Sequence, residues 1–162
     1  MKIARSYEYE GRPVDTAQLM STPGIEYLRG IIRGDYPAAP ISATLDFHPV
    51  EVAPGFAAFE GEPARYAYNP LGVVHGGWAS TILDSALGCA VHTTLPAGKG
   101  YTTIELSVSL VRAITERTKR VRCEARVIHV GSSIATAEGQ LVDDQGKLCA
   151  HGKATCMILT PR

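Results

Sequence analysis

Two hydrophobic periods divide the chain. From Gly76 to about Thr94 the apolar residues recur at helical spacing. At about 100° per residue, Trp78, Ile82, Ala86, Ala79, Ala90, Leu83, Leu87 and Val91 share one broad arc. Thr81, Ser85, Gly88 and His92 fall on the other side, and Asp84 lies at the edge of the arc beside Leu87 and Val91. Pro96 and Gly98 predict the end of this helix, because proline cannot continue the hydrogen-bond ladder and glycine suits the exit. Beyond it the period falls to two. Tyr101 to Ala113 reads as a strand, and in the next Val121, Cys123, Ala125 and Val127 alternate with Arg122, Glu124 and Arg126. A turn at Gly131-Ser132 leads into a strand from Ile134 to Val142. A second turn at Asp143-Asp144-Gln145-Gly146 leads into the last, Lys147 to Leu159.

Ahead of the helix, Leu45 to Glu60 reads as two short strands around Ala53-Pro54-Gly55. Residues 1–45 are irregular or partly helical, punctuated by Pro13, Pro23, Pro37 and Pro40, and only Ile25 to Arg33 carries helical spacing. Strands before one long helix and a meander after it make an α+β pattern, with no βαβ alternation to suggest a parallel sheet. The expectation is one helix against a curved antiparallel sheet of five or six strands.

Composition narrows the function. The 162 residues are 45% apolar and 20% charged, as in an ordinary globular domain. Sixteen basic side chains balance sixteen acidic ones, so the basic excess that displaces counterions from nucleic acid is missing. No window holds the ~18 to 20 apolar residues of a membrane helix, and the charged N-terminal residues do not resemble a secretory signal. A soluble, cytoplasmic protein with neither nucleic-acid nor membrane partners is expected. Cys89, Cys123, Cys149 and Cys156 form no CxxC pair, which argues against a disulfide framework and against a metal site.

There is no GxSxG elbow, no GxGxxG and no GxxxxGK[ST]. Chemistry gathers instead in Asn69-Pro-Leu-Gly-Val-Val-His75-Gly76-Gly77 and in Asp84 on the helix that it opens. A glycine pair at a helix start leaves N–H groups approachable in a positive field, suited to a developing oxyanion. Asn69 and His75 put polar side chains beside that end. Each feature alone is compatible with a turn or a solvent-facing acid; together within residues 69–84 they point to a site.

The segment NPLGVVHGGWASTILDSALG resembles the signature of hotdog-fold acyl-CoA thioesterases of the phenylacetate-degradation (PaaI-like) type: an Asn, then His-Gly-Gly six residues on, then an acidic residue nine beyond the His. The similarity continues through YTTIELSVSLVRAI and RVIHVGSSIATAEGQLVDDQGKLCAHGKA, over roughly residues 41–159. It implies a lead-in over 1–40, a hotdog thioesterase domain over 41–162, and hydrolysis of an acyl-CoA to free acid and CoA. No cofactor is needed, CoA being part of the substrate. In the catalytic roles it implies, Gly76 N–H polarises the thioester carbonyl and Asp84 attacks it or activates water. Asn69 and His75 orient the reactants, and the Thr103 hydroxyl positions the nucleophile. Gly77, Thr102 and the loop His129, Val130, Gly131, Ser132 and Ser133 would bind substrate, the loop at the CoA nucleotide. Two departures stand out. Gly88 occupies a place where some relatives carry a Thr, and Ser132-Ser133 follows Gly131 where an arginine is common. Arg112, Arg117, Lys119, Arg120 and Arg122 are alternative phosphate ligands, or else a solvated sheet edge.

Gly76 and Asp84 are eight residues apart, roughly 12 Å along a helix, while both must come within ~3 Å of one carbonyl centre. If both are catalytic, Gly76 of one subunit faces Asp84 of another, and the working unit is at least a homodimer. The resemblance extends this to a homotetramer, a dimer of dimers. Two other readings remain at this level: a non-catalytic acyl-CoA sensor, and a hotdog dehydratase or hydratase using His75.

Overall fold

The computed structural model describes residues 1–11 and 15–160; Pro13 and the last two positions of the 41–162 segment lie outside them. Three short helices come first: α1 (Thr16–Ser21), α2 (Gly24–Arg33) and α3 (Pro40–Leu45). Strands β1 (Phe47–Ala53) and β2 (Phe56–Gly61) then form the hairpin expected around Pro54-Gly55. The long helix α4 spans Gly76–His92 and is followed by β3 (Gly100–Leu110), β4 (Val121–Val130), β5 (Ile134–Asp143) and β6 (Leu148–Leu159). All six strands join one antiparallel sheet in the order β1-β2-β4-β5-β6-β3.

The arc of α4 faces the sheet, and α4 touches every strand. Trp78, Ala79, Ile82, Leu83, Ala86, Leu87, Ala90 and Val91 are all buried. Ile82, Leu83, Leu87 and Val91 are among the largest fully enclosed side chains, each contributing about 1.5–3 kcal/mol of transfer free energy. Opposite them the alternating positions of the meander turn inward: Val121, Cys123 and Ala125 from β4, Ala135 and Ala137 from β5, Ala150, Ala154 and Cys156 from β6. The small residues of both layers let a single helix sit deep in the sheet. This is the α+β hotdog architecture.

Gly88 and His92 depart from the expected polar face of α4: both are buried. Over Gly88 the cover is the Tyr101 ring of β3, and over His92 it is α2, which packs on the end of α4 so tightly that a Cβ on Gly24 would run into the His92 carbonyl. Gly24 N–H donates to Leu95 O at 3.0 Å, and the Tyr27 ring stands edge-on to His92 with centroids 6.4 Å apart. Helical periodicity within α4 cannot report a cover supplied by residues as distant in sequence as Gly24 and Tyr27.

The two sheet edges differ. β1 is covered by α2 and α3, whereas β3 is open. Pairing of Tyr101, Thr103, Leu106, Val108 and Leu110 with the inward residues of β6 turns them toward the helix side of the sheet. Even so, Leu106 and Leu110 are 37% and 57% exposed. An unpaired edge strand with exposed apolar residues on its core side is a template for another chain.

Candidate active site

The start of α4 is built by its own sequence. His75 is the N-cap, in extended backbone, and its Nδ1 accepts a 2.9 Å hydrogen bond from Gly77 N–H. Trp78 N–H donates to His75 O. Gly76 N–H has no partner among the described residues. His75 is in turn anchored from outside the helix, its N–H donating to Ala67 O at 2.7 Å. The indole N–H of Trp78 and the Tyr66 hydroxyl both donate to Leu45 O at 2.7 Å, tying the helix start to the end of α3.

Asn69 is held by its own loop. Its Oδ1 accepts from Leu71 N–H at 2.9 Å and from Val73 N–H at 3.3 Å. The side chain folds the 69–74 loop on itself, and that loop delivers Val74 N–H to Ile114 O. Asn69, Gly76, Leu110 and Arg112 line a cavity of about 260 Å³ between this loop, the helix start and the end of β3. Gly76 borders it because it lacks a side chain: a Cβ would collide with Leu110 Cδ1.

Asp84 lies two turns further along α4 and is half-buried. Its Oδ1 is shielded from solvent and has no hydrogen-bond partner, the only such buried side-chain atom among the described residues apart from the two ring nitrogens of His92. An orphaned carboxylate oxygen in a native core calls for an explanation in strain, catalysis or an absent partner. Its charge bears on Cys89, Tyr101 and Cys156. Burial pushes the Cys89 thiol up to about 12, against the lowering effect of the Tyr101 hydroxyl that bonds to it. Burial also pushes the Tyr101 phenol well above its ordinary range. The Cys156 thiol is raised by burial too and is bonded to the Thr103 side chain. Thr103 thus comes into the neighbourhood of Asp84 from β3, on the open edge.

Gly76 and Asp84 are not brought together within the chain, since one α-helix carries both. Thr102, next to Thr103, is exposed and turned to the outer face, paired with Met157. The turn between β4 and β5 carries His129 to Ser133: Gly131 N–H donates to Ile134 O, and Ser133 O accepts from Ile158 N–H, both at 2.8 Å. The loop sits at the end of the sheet where β3 begins. Of the cationic candidates, Arg122 is tied to Glu51, Glu60 and Glu124 and Arg120 to Glu60 and Glu62. Arg112 pairs loosely with Asp143 at 3.6 Å and borders the Gly76 cavity. Sequence reasoning missed Tyr101 as a neighbour of Asp84; the signal was Gly88, whose missing side chain admits the ring. No group of three potential ligands that could hold a metal occurs among the described residues, and no helix there is long and apolar enough to cross a membrane.

Comparison with known proteins bears on the fold and the family. A family model described as the thioesterase superfamily matches residues 71–150. A protein of Archaeoglobus fulgidus with a provisional esterase designation is 30% identical over 111 residues, covering 68% of this chain and 70% of that protein. The 1,4-dihydroxy-2-naphthoyl-CoA hydrolase of Escherichia coli is 30% identical over 92 residues, 56% of this chain and 65% of that enzyme. Two other relatives are matched over 46% and 66% of their lengths, so the chain spans about half to two thirds of these three. Among solved structures, a phenylacetic acid degradation-related protein of Ralstonia eutropha superposes with a TM-score of 0.74 at 29% identity, covering 81% of this chain and 98% of that one.

Proposed function

The chain belongs to the thioesterase superfamily, and from that premise we propose that it hydrolyses an acyl-CoA thioester to the free acid and CoA. The observation that carries the reading is Asp84: a carboxylate oxygen buried without a partner, on the helix beside the open strand β3. The complementary group is the unpaired Gly76 N–H at the start of the same helix. Separation along α4 assigns them to different sites, so two copies joined along β3 would let the Gly76 N–H of one face Asp84 of the other. In this reading the protein is at least a homodimer, assembled further as a dimer of dimers, and works in the cytoplasm without a cofactor.

The thioester carbonyl oxygen accepts from Gly76 N–H, and the helix dipole stabilises its developing negative charge. Asp84 then acts in one of two balanced ways. As a nucleophile it attacks the carbonyl carbon and expels CoA thiolate, leaving a mixed anhydride that water cleaves. As a general base it takes a proton from water, whose oxygen attacks the carbon before the C–S bond breaks. His75 contributes by holding Gly77 N–H and thereby fixing the helix start, and Asn69 by shaping the loop that precedes it. Thr103 reaches the Asp84 neighbourhood from β3. The 129–133 turn, with Gly77 and Thr102, is the candidate for CoA contacts, joined by Arg112.

Free-thiol release from aromatic, short, medium and long acyl-CoAs tests the reading, with Asp84→Asn alongside. The variant preserves shape around a half-buried group and should fold normally while losing about 10²-fold or more in turnover. Undiminished turnover would remove Asp84 from the mechanism.

A further inference from the structure

Gly76, Ser80, Asp84, Gly88 and His92 follow one another at four-residue steps and form a single ridge of α4. Its two glycines are where the inward side chains of β3 meet the helix. Leu110 closes on Gly76, and a Cβ on Gly88 would lie 2.6 Å from Tyr101 Cε2 and 2.7 Å from its hydroxyl oxygen. β3 therefore runs alongside the ridge in the opposite sense, Leu110 at the helix start and Tyr101 near its end. Asp84 stands between the two contacts, one turn before the Tyr101 ring.

An acyl group whose carbonyl carbon sits at Asp84 and which extends along the ridge meets only backbone at Gly88. That is the point at which α4 offers room, and the Tyr101 ring fills it. The ring is backed on its far side. His92 is 6% exposed, and its ring centroid is 5.5 Å from that of Tyr101. Tyr27 closes on His92 from α2, and Tyr36 stacks on Tyr27 at 5.0 Å. Both ring nitrogens of His92 are buried without partners, so a polar group lies just behind the phenol with nothing bonded to it.

We propose that Tyr101 is the specificity-determining residue of the Asp84 site, the end wall that limits how long an acyl group can run beyond the reacting carbon. The inference rests on the hydrolase reading above. A planar ring lodged in a glycine notch and backed by other rings is a firmer stop than an aliphatic chain that can change rotamer. Shortening it would leave the volume of a phenol between Gly88 and His92 for a longer acyl group to enter.

The test is thiol release across the straight-chain series from acetyl- to dodecanoyl-CoA, using full-length wild type, Tyr101→Phe, Tyr101→Val and Tyr101→Ala, with thermal unfolding of each. Wild type and Tyr101→Phe should share an optimum at short acyl groups, because the ring and not its hydroxyl forms the wall. In Tyr101→Val and Tyr101→Ala the optimum should move to longer chains, the long-to-short ratio of kcat/KM rising by about tenfold or more. Valine suits a strand, which keeps one shortened variant folded. A purely structural tyrosine would lower all chain lengths in parallel; that result in a folded variant, or a wild type that prefers dodecanoyl-CoA, overturns the proposal. A wild type that releases no thiol from any acyl-CoA defeats the hydrolase reading itself and this inference with it.

Discussion

His75 Nδ1 accepts the Gly77 N–H at 2.9 Å, which leaves the neighbouring Gly76 N–H as the donor that α4 presents unpaired at its first turn. One side chain thus caps the helix and selects which amide stays free. A helix start has several orphan donors, and a substrate needs one of them in a fixed place.

His75→Ala should therefore cost about 1 kcal/mol of stability, the usual loss of an N-cap, and lower the melting temperature by roughly 2–4 °C for a chain of this size. His75→Asn, a good cap, should regain most of it. Thermal unfolding checks this, and an unchanged melting temperature for His75→Ala would show that the bond contributes nothing.

Gly76→Ala should destabilise by about 1–3 kcal/mol through overpacking against Leu110, with turnover falling as the helix start is displaced. Combining it with Leu110→Ala removes the obstacle while keeping the backbone N–H. The double variant should recover turnover relative to Gly76→Ala alone, measured by thiol release. If relieving the collision restores nothing, the glycine is required for some reason other than its packing.

Sharing of the site between subunits is checked by mixing inactive chains. Proline at 76 removes the N–H in the first helical position, where it is otherwise tolerated, and His75 already has the extended backbone that must precede a proline. Its ring would strike Leu110, so the proper chain is Gly76→Pro with Leu110→Ala. Refolded in equal amounts with Asp84→Asn, it should give roughly a quarter of wild-type activity, since half the dimers are mixed and each restores one of two sites. Activity no greater than the sum of the separate chains would mean that Gly76 and Asp84 do not complete one site across subunits.

The periods of two and 3.6 made most of this fold legible. Inward residues such as Cys123, Ala125 and Leu141 are buried as alternation predicts, and the apolar arc of α4 is the buried face. What periodicity could not carry was long-range cover. His92 is assigned to a polar face until α2 is seen lying on it, and Gly88 looks like a loss of function at a family position until Tyr101 is seen in its space. Asn69 illustrates a different gap. Its spacing from His75 is a family signature, and its Oδ1 accepts from two local N–H groups, a loop-shaping role that the spacing alone does not reveal.

His92 also makes stability depend on pH. Burial lowers its pKa below the value of about 6.5 expected in the unfolded chain. The unfolded state thus binds the proton more readily, so His92 adds stability that is complete above about pH 6.5 and is lost as pH falls below it. His92→Phe should flatten this part of the acid limb of a melting-temperature profile. A variant profile parallel to wild type from pH 7 to pH 5 would refute the role.

The uncovered edge formed by β3 has a consequence for how such a protein is handled. If the reactive pair is completed only when two such edges meet, hydrolysis obeys mass action. Specific activity should then fall on dilution and return on concentration, with no chemical change to any chain. Rates taken at a single low enzyme concentration would report the association equilibrium as much as the chemistry.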